Sequence, residues 1–145
     1  MFLPFFLSAS FICSTSGAES KVTINPKISQ TSAGKITYQF KLNSNKTKKD
    51  LSDKNLNLSH EEKLHMLVYD PSLTEFHHVH PQFKKGMWVT DLEIPVNGDY
   101  WIWAQGEAKN GKTEFSVSTK LKVTDGKEAK PSPPALTDSR EGILG

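Results

Sequence analysis

From about residue 20 onward, apolar and polar residues alternate along the chain in short runs. In KITYQFKL, Ile36, Tyr38, Phe40 and Leu42 fall on one side and Lys35, Thr37, Gln39 and Lys41 on the other. That period of two marks a strand with one buried face. TEFSVSTKLKV repeats the pattern with Phe115, Val117, Thr119, Leu121 and Val123, and MWVTDLEI aligns Trp88, Leu92 and Ile94. The run YWIWAQ is aromatic on both sides, which predicts a strand covered on both faces, with Trp88, Tyr100, Trp101 and Trp103 all in the core. No window carries a helical stripe. Turn signals at Asn25 with Pro26, Ser32 to Gly34, Asp70 with Pro71, Asn97 with Gly98 and Asn110 with Gly111 punctuate the runs. The spacing predicts an all-β fold, an antiparallel Ig-like β-sandwich of about seven strands. The connection from Asn43 to Glu62, rich in Asn, Lys, Ser and Asp, is the longest irregular stretch and reads as either functional or mobile.

The ends of the chain read differently. MFLPFFLSASFIC is apolar and uncharged, and Ser16 and Ala18 supply the small residues of a cleavage site after Ala18. Residues 1–18 therefore resemble a secretory signal peptide, although no Lys or Arg follows Met1. The run falls short of the ~20 residues needed to span a bilayer, so no transmembrane segment is expected in the mature chain. The single cysteine, Cys13, lies inside this leader. Ile12 stands where a small residue precedes a lipoprotein cysteine, which disfavours acylation at Cys13. The expected location is the periplasm or cell envelope, with the extracellular space as the alternative. Residues 19–124 form the sandwich domain, and 125–145, with their prolines and mixed charges, read as a flexible tail.

Eighteen Lys and Arg against sixteen Asp and Glu leave a formal charge of +2. With no Arg stripe and no interleaved aromatics, no nucleic-acid partner is expected. A GxSxG elbow, a mature cysteine nucleophile and a glycine-rich phosphate loop are all lacking, so the chain does not read as an enzyme.

The chemistry concentrates elsewhere. All five histidines, His60, His65, His77, His78 and His80, lie between residues 60 and 80. KLHMLVY and EFHHVHP flank the turn DPSLT, and pairing Asp70 with Glu75 sets Tyr69 against Phe76, Leu67 against His78 and His65 against His80. On that register His65, His78 and His80 share one face, Leu64, Met66, Val68 and Val79 take the core face, and His77 points inward. Opposed residues lie ~4.5–5.5 Å apart at Cβ, close enough for two imidazoles to reach one ion. His60 stands on the wrong parity and joins as a fourth ligand only if the chain bends around Glu61 and Glu62. Met66 and Met87 are the remaining soft donors, Met66 expected in the core.

HEEKLHMLV, then LTEFHHVHP, GMW and NGDYWIWAQ together resemble a group of exported bacterial β-sandwich domains, largely uncharacterised and suspected of handling heavy metals, copper above all. The matching positions are His60, His65, His78, His80 and Pro81, with Trp88, Gly98, Tyr100 and Gln105 in support, over roughly residues 34 to 124. The resemblance implies a transition-metal site of His60, His65, His78 and His80, with copper as the ion and zinc as the alternative. The competing reading is an Ig-like protein-interaction module that meets a protein partner and holds no metal.

Overall fold

The structure, a computed structural model, describes residues 21–131. The expected leader with Cys13, and the tail from residue 132, lie outside them. Among the described residues the strands are β1 (Val22–Pro26), β2 (Gln30–Ser32), β3 (Gly34–Ser44), β4 (Leu64–Tyr69), β5 (Phe76–Val79), β6 (Gln82–Lys84), β7 (Met87–Ile94), β8 (Gly98–Ala108) and β9 (Thr113–Thr124). They form two sheets, ordered β1-β3-β7-β6 and β2-β9-β8-β4-β5. In immunoglobulin lettering the first is A-B-E-D and the second carries G-F-C-C′, so the Ig-like sandwich is the observed fold.

The strand count exceeds the expected seven because two edge pieces, β2 and β6, are only three residues long. One pairing departs from the antiparallel expectation: β2 runs parallel to β9. The first strand ends at Pro26, and within a few residues the chain crosses to the other sheet, where the Lys122 N–H donates to the Ser29 carbonyl at 3.0 Å. Between the sheets lie Tyr38, Phe40 and Leu42 of β3, Trp88, Leu92 and Ile94 of β7, Leu64, Met66 and Val68 of β4, Tyr100, Ile102 and Ala104 of β8, and Phe115, Val117, Leu121 and Val123 of β9. Each set is spaced by two, as the alternation of the strand demands.

The aromatic run of β8 is covered on one side only. Tyr100 is buried, but Trp101 and Trp103 are half-buried on the outer face, which corrects their assignment to the core. Their cover comes from neighbours on the same face: Tyr69 meets Trp103 edge-on at 5.4 Å, and Lys120 lies 4.1 Å over the Trp101 ring. The central position of β8 gives such side chains lateral shelter without a third layer.

The long connection is pinned. Leu51 and Leu56 enter the core, and the Trp88 indole N–H donates to the Leu51 carbonyl at 2.9 Å. The Asn57 N–H donates to the Glu107 carbonyl and the Lys109 N–H to the Asn55 carbonyl, both at 2.9 Å, which lays this segment along the end of β8. Full burial of a leucine contributes roughly 1.5–3 kcal/mol, enough to anchor an otherwise polar loop. Past β9, the Lys127 N–H still bonds to the Pro95 carbonyl at 2.8 Å, and Gly126 is tied to Asn97.

Two tyrosines frame a test of this packing. Tyr100, at the start of β8, accepts the Val96 N–H at 3.1 Å, an arrangement found at the E–F corner of immunoglobulin folds. Tyr38 is fully buried, and its hydroxyl has no protein partner among the described residues. Tyr100→Phe should therefore cost about 1 kcal/mol, because it orphans a part-buried N–H, whereas Tyr38→Phe should be neutral or stabilising by up to about 1 kcal/mol. Urea denaturation of the two variants measures both; a larger loss at Tyr38 than at Tyr100 would contradict the assignment.

Candidate metal centre

The hairpin that carries the histidines is set by one carboxylate. The Asp70 N–H donates to the Glu75 carbonyl at 3.1 Å, and the Asp70 side chain accepts the N–H of Thr74 at 2.9 Å, the N–H of Glu75 at 3.0 Å and the Ser72 hydroxyl. Burial works against its charge, but the hydroxyl and N–H donors of Ser72, Glu75 and Thr74 outweigh it and hold the Asp70 carboxyl below its ordinary pKa. A Cβ on Gly98, whose φ is +118°, would meet Pro71 at 2.9 Å, so a glycine lets β8 start hard against this turn. The turn closes Tyr69 on Phe76, Val68 on His77, Leu67 on His78 and Met66 on Val79.

This register puts His65, His78 and His80 on the outer face of the five-stranded sheet. One ring nitrogen from each lies within 4.8 Å of the others. His65 Nδ1 and His78 Nε2 are 3.1 Å apart, and the His80 ring centre is 4.9 Å from that of His65 and 4.8 Å from that of His78. Two nitrogens bound tetrahedrally to one ion at ~2.0–2.1 Å stand about 3.3 Å apart, so the first pair already has the separation of a chelate. His78 and His80 are exposed, while His65 is half-buried.

His60 arrives by a different route. Ser59 and Glu62 bridge each other, with N–H to carbonyl bonds of 2.7 and 3.1 Å, and the residues between them, His60 and Glu61, both have positive φ, 48° and 70°. This two-residue turn bends the chain at Glu61, and it brings the His60 ring centre to 6.4 Å from that of His65. The trio that converges is His65, His78 and His80; His60 stands beside it. All but His80 border an open groove of about 680 Å³, which continues past Gln105, opposite His65 on β8, to Glu107 and Glu114.

His77 does not point into the core as expected: it is exposed. Its parity is that of Val68, but β5 is the outermost strand of its sheet, and a side chain there overhangs the layer beneath. Met66 is fully buried, as its parity requires. Sequence reasoning missed Ser59, whose backbone carbonyl lies 2.8 Å from His65 Nε2. A main-chain contact from a loop leaves no residue-type signal.

The pattern for the Domain of unknown function (DUF8832) matches residues 15–125. The chain belongs to that family. A comparison with the curated proteins finds no match. Among solved structures the chain is similar to the CARDB domain of the PF1109 protein from Pyrococcus furiosus, crystallised in complex with di-metal ions, at 16% identity and a TM-score of 0.36, over 73% of this chain and 88% of that one. The di-metal ions belong to that protein.

Partial loss of solvent, together with the facing His80 and His65 rings, pushes the pKa of His78 below its ordinary 6.5. The unfolded chain then holds more protons than the folded one in the interval between the two values. The resulting stability is fully present above 6.5 and is lost as pH falls through the lowered folded value. The urea midpoint of metal-free protein should therefore drop as pH falls below about 6.5, and His78→Ala should lessen that drop. An unchanged pH profile in the variant would contradict this coupling.

Proposed function

We propose that this domain is an exported metal-binding protein in which His65, His78 and His80 hold one transition-metal ion, for storage, delivery or sensing, and that it is not an enzyme. The observation that carries the reading is the convergence of three imidazole nitrogens within 4.8 Å on a hairpin whose register is fixed by Asp70. Export rests on the uncharged apolar leader and its small residues Ser16 and Ala18. The ion is copper(II) first and zinc second. Three imidazoles form a borderline donor set that suits both, and copper(II) stands higher in the affinity order. Copper(I) fits less well, because it favours thioethers and Met66 is sealed in the core. His60, one turn away on a surface loop, is the natural fourth ligand once an ion is present.

A second reading has its own support. Tyr69, Phe76, Trp101 and Trp103 continue the outer face beyond the histidines, and Phe76 is 60% exposed. Such a face suits an Ig-like module that meets a protein partner without metal.

Metal titration separates the two. Copper(II) or zinc at a hundred times its dissociation constant should stabilise the native state by about 2.7 kcal/mol, seen as a raised melting temperature. His65→Ala, His78→Ala or His80→Ala should each weaken binding at least about tenfold, His60→Ala less, and His77→Ala least. Ligand imidazoles must be neutral, so the gain should disappear near about pH 5. A melting temperature indifferent to metal at neutral pH would favour the interaction module.

A further inference from the structure

Resting on the metal reading, we propose that the backbone carbonyl of Ser59 is a positioning group for the site. It holds His65 as the Nε2–H tautomer, so that His65 offers Nδ1 to the ion, and the His60–Glu61 turn keeps that carbonyl in place.

A carbonyl oxygen only accepts, so its 2.8 Å contact with His65 Nε2 requires the proton on that nitrogen. A neutral imidazole carries one ring proton, which leaves Nδ1 with its lone pair. That lone pair faces His78 Nε2 at 3.1 Å. In the metal-free chain His78 therefore donates its Nε2–H to His65 Nδ1. An entering ion replaces this shared proton: the N–H bond at His78 Nε2 breaks, one forms at His78 Nδ1 by exchange with water, and both facing nitrogens bind the ion. No net proton leaves the pair. His65 needs no rearrangement, because its other nitrogen stays bonded to Ser59. Ligand histidines are commonly oriented in this way by an outer acceptor, which selects the tautomer and raises the basicity of the ligating nitrogen.

The carbonyl is itself held. The Ser59 oxygen also accepts the Glu62 N–H at 3.1 Å, using its second lone pair, and the Ser59 N–H donates to the Glu62 carbonyl at 2.7 Å. Between them His60 and Glu61 both occupy positive φ, as a type I′ hairpin turn demands. That turn normally takes Asn or Gly, and neither residue stands here. Backbone strain of this kind gathers at functional sites, where the surrounding structure over-determines it. Here the determining neighbours are Leu56, buried beneath, and Asn57, bonded to β8. The long loop is thereby tied to the ring orientation of a residue on another element.

Nitrogen NMR on the 15N-labelled full chain reads the tautomer directly. Without metal, at neutral pH, the His65 ring should show the proton on Nε2; with zinc as the probe, the metal-induced shift should fall on Nδ1. A proton on Nδ1, an even mixture of tautomers, or zinc on Nε2 overturns the proposal. A backbone test accompanies it. Glu61→Val, whose β-branched side chain resists positive φ, should weaken zinc binding about tenfold or more with the core amide spectrum unchanged, whereas Glu61→Gly should stay within about twofold of the parent. Equal affinity in all three proteins, with Ser59 displaced in the valine variant, also overturns it. Should the valine variant fail to fold, the tautomer of the parent protein decides. Failure of the parent to take up either copper(II) or zinc refutes the metal reading, and the metal-free tautomer then tests this proposal alone.

Discussion

The site depends on a register, and the register depends on Asp70. Its carboxylate gathers the N–H groups of Thr74 and Glu75 and the Ser72 hydroxyl, and so sets how β5 returns along β4. A slip of one residue would move every side chain of β5 to the other face. His78 and His80 would then leave His65, and His77 alone would remain near it. The convergence of three imidazoles thus rests on a turn with no histidine in it.

The remaining support comes from the opposite side of the sheet. β4 is held between β5 and β8, and β8 shares its longest pairing with β9. Leu64, Met66 and Val68 point into the core from the strand that presents His65 to the outside. Burial on the inner face therefore fixes the outer face, since neighbours along a strand point in opposite directions. The long loop adds a third constraint. Leu51 and Leu56 fasten it to the core, and Asn57 fastens it to β8, so that Ser59 reaches His65 from outside the hairpin.

Much of this was legible because strands write their faces into the sequence with a period of two. Ile36 to Leu42, Phe115 to Val123 and the pairing of Tyr69 with Phe76 all follow from that period and from the turn at Asp70. The failures share a physical cause, which is that alternation says which residues share a face and not what covers it. Trp101 and Trp103 have the composition of a core but face outward, sheltered by Tyr69 and Lys120. His77 has the parity of the core but overhangs an edge. Leu51 and Leu56 are isolated apolar residues in a polar stretch, where no period exists to reveal them. The bend beside His60 stood in the sequence only as a condition, because the His60–Glu61 turn adopts positive φ without glycine or asparagine.

The central claim is that His65 on β4, His78 on β5 and His80 just past the end of β5 make one metal centre. Anomalous diffraction at the zinc edge, from crystals of the full chain grown with that ion, tests it most directly. The account predicts one ion per chain, with a nitrogen of each of His65, His78 and His80 at about 2.0–2.1 Å. An ion held by fewer than these three rings, or zinc scattered over the surface carboxylates with this cluster passed by, would contradict it.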